Sequence, residues 1–159
     1  MSPEPMRYLS IFIVCCALFA GCSSSRDAGE GAVKREVVDL YVGTVELPDG
    51  FIHSREEGID TIIGHFTSAD GHLVIHYDIA ILGSAFASHI KAKDIISSYQ
   101  TTVHGLTALI VVARQEDTKF VYITLPEVGP AIFYADIRDD ADLEMVKKLA
   151  FSFRLKHKD

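Results

Sequence analysis

Residues 60–79, Asp60-Thr61-Ile62-Ile63-Gly64-His65-Phe66-Thr67-Ser68-Ala69-Asp70-Gly71-His72-Leu73-Val74-Ile75-His76-Tyr77-Asp78-Ile79, read as two strands around a turn. Asp-Gly between alternating segments is a strong short-range hairpin signal, because its residues accept the positive φ that a tight turn demands. Successive side chains of a strand point to opposite faces, so Leu73, Ile75, Tyr77 and Ile79 share one face. His72, Val74, His76 and Asp78 share the other. If Asp70-Gly71 is a two-residue loop, His65 stands directly opposite His76, on the face that carries Asp78 and His72. The hairpin therefore has one core face and one wetter face.

The same reading extends in both directions. Residues 37–47 are rich in β-branched and aromatic types, and Pro48-Asp49-Gly50 turns the chain before Phe51-Ile52 resume the pattern, which predicts a first hairpin. Residues 84–98 place Phe86, Ile90 and Ile95-Ile96 on an approximate helical stripe interrupted by Lys93 and Asp94, predicting a helix or an ordered loop. Residues 99–104 follow as a strand ended by Gly105, and 106–114 are an almost unbroken apolar run suited to a central strand covered on both faces, with Val111 and Val112 buried. Turns at 115–118 and 126–130 then separate strands at 119–125 and 131–137. Asp139 or Asp140 can cap a last helix with Leu143, Val146, Leu149 and Ala150 as its apolar stripe, placed to cover the face of the central run. Asp142 and Glu144 suit the positive end of its dipole, Lys147 and Lys148 the negative end. Residues 151–155 alternate into a short strand or packed tail. The expected class is α+β: an antiparallel meander with a C-terminal helix on the sheet.

The N-terminus has a different character. Residues 11–20 are apolar and uncharged, preceded by Arg7 and followed by small residues, which is the layout of a secretory signal. The run is shorter than the roughly 20 residues a membrane-spanning helix needs. Phe19-Ala20-Gly21-Cys22 resembles the lipobox of bacterial lipoproteins, with Phe19 where that family most often has Leu. The resemblance implies cleavage before Cys22, diacylglycerol on its sulfur, an N-acyl chain, and a membrane anchor held by two or three acyl chains. Ser23 stands where inner-membrane lipoproteins commonly carry Asp, so the resemblance favours the periplasmic face of an outer membrane. Glu4 offsets Arg7, which leaves Met1 and Met6 both open as the start. The organisation is then a signal peptide at 1–21, a lipidated N-terminus and tether at 22–32, and one domain at 33–159.

A mature chain of that size buries a substantial core. The full sequence is 48% apolar, too much for a disordered chain, and its net charge of −7 with scattered acidic residues argues against a nucleic-acid partner. Cys15 and Cys16 fall in the discarded segment. An acylated Cys22 would then leave no thiol for disulfides, metal sites or nucleophilic catalysis.

The closing Lys147-Lys148-Leu149-Ala150-Phe151-Ser152-Phe153-Arg154 and the early Leu47-Pro48-Asp49-Gly50 turn resemble the PsbP-like superfamily, as does the order of elements between them. That resemblance implies an antiparallel sheet with helices on its faces, and binding to other proteins rather than catalysis. It supplies no catalytic residue.

Catalytic patterns are absent from the sequence itself. No Gly-x-Ser-x-Gly elbow occurs, Gly83-Ser84-Ala85 lacks its flanks, and no His-Glu-x-x-His, Gly-x-Gly-x-x-Gly or phosphate loop is found. Glu56, Glu57 and Asp60 read as a solvated acidic turn. His65, His76 and Asp78 are the candidate metal ligands, set against the simpler reading of polar residues on a wet strand face. The sequence thus points to a non-enzymatic, membrane-anchored binding or accessory module without a cofactor. A small-ligand or metal-binding envelope lipoprotein is the alternative, and an envelope hydrolase a third.

Overall fold

The computed structural model describes residues 35–58, 61–80, 90–128 and 131–156, all within the compact unit Val33–Asp159. The expected signal segment and tether, residues 81–89 and Asp60 lie outside the described residues. The strands are β1 (Val37–Asp39), β2 (Gly43–Glu46), β3 (Ile52–Glu57), β4 (Thr61–Thr67), β5 (Val74–Ala80), β6 (Ile95–Val103), β7 (Leu106–Gln115), β8 (Thr118–Leu125), β9 (Ala131–Ile137) and β10 (Arg154–Leu155). One helix, α1 (Asp140–Phe151), precedes β10. The α+β class is as expected: mostly antiparallel sheet with a C-terminal helix.

The topology corrects the simple meander. The large sheet runs β3-β4-β5-β9-β8-β7-β6, and every pairing in it is antiparallel. Two meanders, β3-β4-β5 and β6-β7-β8-β9, are joined where β5 pairs with β9 instead of its neighbour in sequence. The central strand is β9, and the apolar run forms β7, next to an edge. The run is nevertheless buried on both faces: Ala108, Ile110 and Val112 belong to the main core, while Val111 and Ala113 are buried on the opposite side.

The expected hairpin across Pro48–Gly50 also differs. The turn forms, with Phe51 N donating to Pro48 O at 3.1 Å and Gly50 at φ 79°, but its two arms diverge into different sheets. β2 pairs with β1 and with β10 in a three-stranded sheet, and β3 opens the large one. Residues 95–98, read as part of a helix or loop, are strand: β-branched Ile95-Ile96 start β6, and only residues 92–94 make a single 3-10 turn. His104 and Gly105, both at positive φ, form the two-residue link to β7.

One face of the large sheet is closed by α1, lying over β8 and β9, and by the small sheet. Val38, Leu40, Val45 and Leu47 of the small sheet, Val146, Leu149 and Ala150 of α1, and Phe66, Ile75, Tyr77, Ile123 and Phe133 of the large sheet share one buried cluster. Phe153 closes it, edge-on to Phe133 at 6.3 Å between ring centres. The cap follows the expected chemistry: Asp142 N donates to Asp139 Oδ1 at 3.0 Å.

Gly64 has a definite reason to be glycine. Tyr77, directly opposite on β5, lays its ring across Gly64 and shares a 2.8 Å hydrogen bond with His53 Nε2 on β3. A Cβ at Gly64 would stand 2.6 Å from Tyr77 Cζ and also meet the Ser54 carbonyl oxygen. Gly64→Ala is therefore expected to destabilise the domain by about 1–3 kcal/mol through overpacking. Denaturant unfolding measures this, and Asp117→Ala in the exposed β7–β8 turn provides the near-neutral comparison.

Candidate functional site

The face of the large sheet away from α1 carries a row of rings built by strand register alone. His65 pairs with His76, His76 with Tyr134, and Tyr134 with Tyr122, so four adjacent strands, β4, β5, β9 and β8, each contribute one aromatic side chain to a single line. Ring centres are 5.8, 5.0 and 6.0 Å apart along it, and the last two contacts are stacked, at 16° and 18° between planes. Spacing near 5 Å is what neighbouring strands impose, and it suits offset stacking. Phe120 extends the patch beside Tyr122 at 6.5 Å.

All three candidate ligands lie on this face. His65 and His76 are opposite each other, as the hairpin reading expects, and Asp78 is two residues further along the same strand. The loop between the strands is wider than Asp70-Gly71, spanning residues 68–73 with Gly71 N donating to Ser68 O at 2.8 Å, yet Thr67 still meets Val74 and the register is kept. Among the described residues no three His, Cys, Asp or Glu side chains converge as a metal site. His65 instead donates from Nδ1 to Glu56 Oε1 at 3.2 Å, while His76 stacks on Tyr134. Burial, and then the neighbouring His65, hold the His76 imidazole below its ordinary range, so it is neutral near pH 7. Burial pushes the Tyr122 and Tyr134 phenols up. Burial also raises the Asp78 carboxyl, whose Oδ1 is enclosed without a hydrogen-bond partner among the described residues. His76, Tyr122 and Tyr134 are thus uncharged near pH 7, and the half-buried row can exchange hydrogen bonds through imidazole and phenol groups.

His72 does not join that face, which corrects the alternation reading. Strand geometry begins only at Val74, after Gly71 has taken φ 71°, and this turn sends the His72 ring toward the N-terminus of α1. There Nδ1 donates to Asp70 Oδ1 at 2.6 Å and Nε2 to Asp142 Oδ1 at 3.0 Å. Ser68 Oγ also donates to Asp70, and Arg138 N to Asp142 Oδ2 at 2.8 Å. An imidazole whose two nitrogens both donate to carboxylates is held as imidazolium. The bond to Asp70, then that to Asp142, raise the His72 pKa, and the bonds from Ser68 and His72 hold Asp70 far below its usual range. For Asp142, burial pushes upward but the Arg138 N–H and His72 together outweigh it. Beside this clamp lies an open cleft of about 330 Å³ walled by Phe51, Ala69, Leu73, Ala141 and Met145.

Sequence reading missed Tyr122, Tyr134 and the His72–Asp142 contact. Alternation within 120–124 and 132–136 places both tyrosines on one face of their own strands. Nothing local places that face beside His76. No family model matches the chain, and no curated protein matches it.

The clamp has a defined pH signature. Because the folded His72 pKa is raised, its contribution is complete below the ordinary histidine value of 6.5 and is lost as pH rises through the folded value. Asp70 and Asp142 are depressed, so theirs is present above the ordinary 3.8 and lost as pH falls through their folded values. Thermal midpoints measured between about pH 6 and pH 9 should fall more in the parent than in His72→Gln, which cannot titrate. Parallel curves would remove the imidazolium from the clamp.

Proposed function

We propose that this chain is a lipid-anchored, non-enzymatic binding or accessory module of the bacterial cell envelope, with the ring-bearing sheet face as its docking surface for a protein partner. One observation carries the surface assignment: four adjacent strands line up His65, His76, Tyr134 and Tyr122 across the face that α1 leaves free. Aromatic side chains offer large contact area and a polar tip at small entropic cost, and they are enriched where proteins bind proteins. A row of imidazole and phenol rings bordered by Glu56 and Asp136 has the mixed character of such a surface. The antiparallel sheet and C-terminal helix also agree with a PsbP-like domain, whose members bind rather than catalyse.

The anchor rests on Phe19-Ala20-Gly21-Cys22, with diacylglycerol and an N-acyl chain on Cys22 and the outer membrane favoured by Ser23. Each buried methylene contributes about 0.8 kcal/mol, so two or three chains hold the protein at the membrane. Small-ligand binding is the second reading, favoured by the apolar cleft beside His72.

Two measurements test the proposal. Labelling with a fatty-acid analogue should mark the parent and not Cys22→Ala; equal labelling would remove the anchor. A photo-crosslinking residue at Thr124, on the ring-bearing face, should trap a discrete envelope protein in cells, and one at exposed Lys148 on α1 should not. Trapping from Lys148 alone would move the docking surface to the helix.

A further inference from the structure

The two edges of the large sheet are built differently. β3, Ile52-His53-Ser54-Arg55-Glu56-Glu57, carries three charged residues in six, the usual protection of an unpaired edge against other strands. β6, Ile95-Ile96-Ser97-Ser98-Tyr99-Gln100-Thr101-Thr102-Val103, has no charged residue, no proline and no glycine over nine positions. Among the described residues no strand pairs with its outer side. Ile95, Ile96 and Tyr99 are 39%, 53% and 42% exposed, three of the seven large apolar side chains left exposed in the described structure. An uncharged, β-branched, open edge of this length is a template for another strand.

We propose that the β6 edge is the interface with a second copy of this chain, two β6 strands pairing antiparallel about a two-fold axis to join two seven-stranded sheets. The register shift between Ile95 and Ser97 sets the first two residues out of line, leaving Ser97–Val103 as the regular segment. Centring the axis on its middle residue puts Gln100 against Gln100, Tyr99 against Thr101, Ser98 against Thr102 and Ser97 against Val103. An isologous contact sets each residue near the axis against itself, so a charge there would meet its own kind. β6 has none to meet. A glutamine amide carries both donor and acceptor and satisfies its own copy across the axis. Aromatic with β-branched and hydroxyl with hydroxyl are favourable cross-strand pairs. The exposed Ile95 and Ile96 come to lie along the partner's His104-Gly105 turn, where Gly105 has no side chain to oppose them. A foreign strand could use the same backbone groups. Self-complementarity from Ser98 to Thr102 about that axis selects a second copy.

Sedimentation equilibrium of the full chain in detergent tests this. The parent should show a reversible monomer–dimer equilibrium. Gln100→Lys should weaken it at least several-fold, whereas Ile52→Lys on the other edge should leave it unchanged. Gln100→Cys, which adds no charge, should form a disulfide-linked dimer under mild oxidation, and Ile52→Cys should not, which keeps the test valid if the lysine variant folds poorly. A parent that stays monomeric, a dimer indifferent to Gln100→Lys, or crosslinking from Ile52→Cys alone would each overturn the proposal, as would capture of a foreign strand at β6 without self-association.

Discussion

The pairing of β5 with β9 is the constraint on which the rest of the structure depends. Each meander alone would expose two strand edges and an apolar face. Joining them through His76–Tyr134 and Asp78–Ile132 removes one edge from each and makes a single sheet wide enough to need a second layer. Three consequences follow from that one seam. It sets His76 beside Tyr134 and so makes the ring row continuous, it puts β9 and β8 under α1, and it leaves β6 at the far edge.

The second layer is fastened at both ends of α1. At the N-terminus, Asp142 joins the helix to the β4–β5 loop through His72 and to Arg138 N, so the helix start and the hairpin cannot separate without breaking a charge-assisted contact. At the C-terminus, Ser152 Oγ donates to Leu149 O at 2.7 Å and accepts from Glu46 N at 2.9 Å, which ties the helix end to β2. Phe153 then fills the space above Gly43, where a Cβ would collide with its ring and with the Arg154 carbonyl oxygen. Fully burying such a ring contributes roughly 1.5–3 kcal/mol. The small sheet is thus a device for closing the core beside a helix too short to cover seven strands.

What was legible in the sequence was local. Alternation and the Asp-Gly turn gave the β4–β5 hairpin with its register, and so put His65 opposite His76, because both depend on contacts within twenty residues. The Asp139 cap and the Val146, Leu149 and Ala150 stripe of α1 were legible for the same reason. Long-range pairing was not. β5 with β9, β2 with β10 and His72 with Asp142 join residues about 55, 110 and 70 positions apart, and no periodicity encodes such partners. Residues 95–98 misled because two adjacent isoleucines fit a helical stripe as well as a strand, and their edge position depends on the same distant seam. The ring row shares this origin: its histidine half lies in one hairpin, and its tyrosine half arrives only through β9.

A cross-strand nuclear Overhauser experiment on the labelled protein tests that seam most directly. The architecture requires contacts between the His76 and Tyr134 rings, together with backbone contacts between Asp78 and Ile132, and none between β5 and β6. Contacts between β5 and β6, with His76 and Tyr134 silent, would contradict the architecture and dissolve the ring row with it.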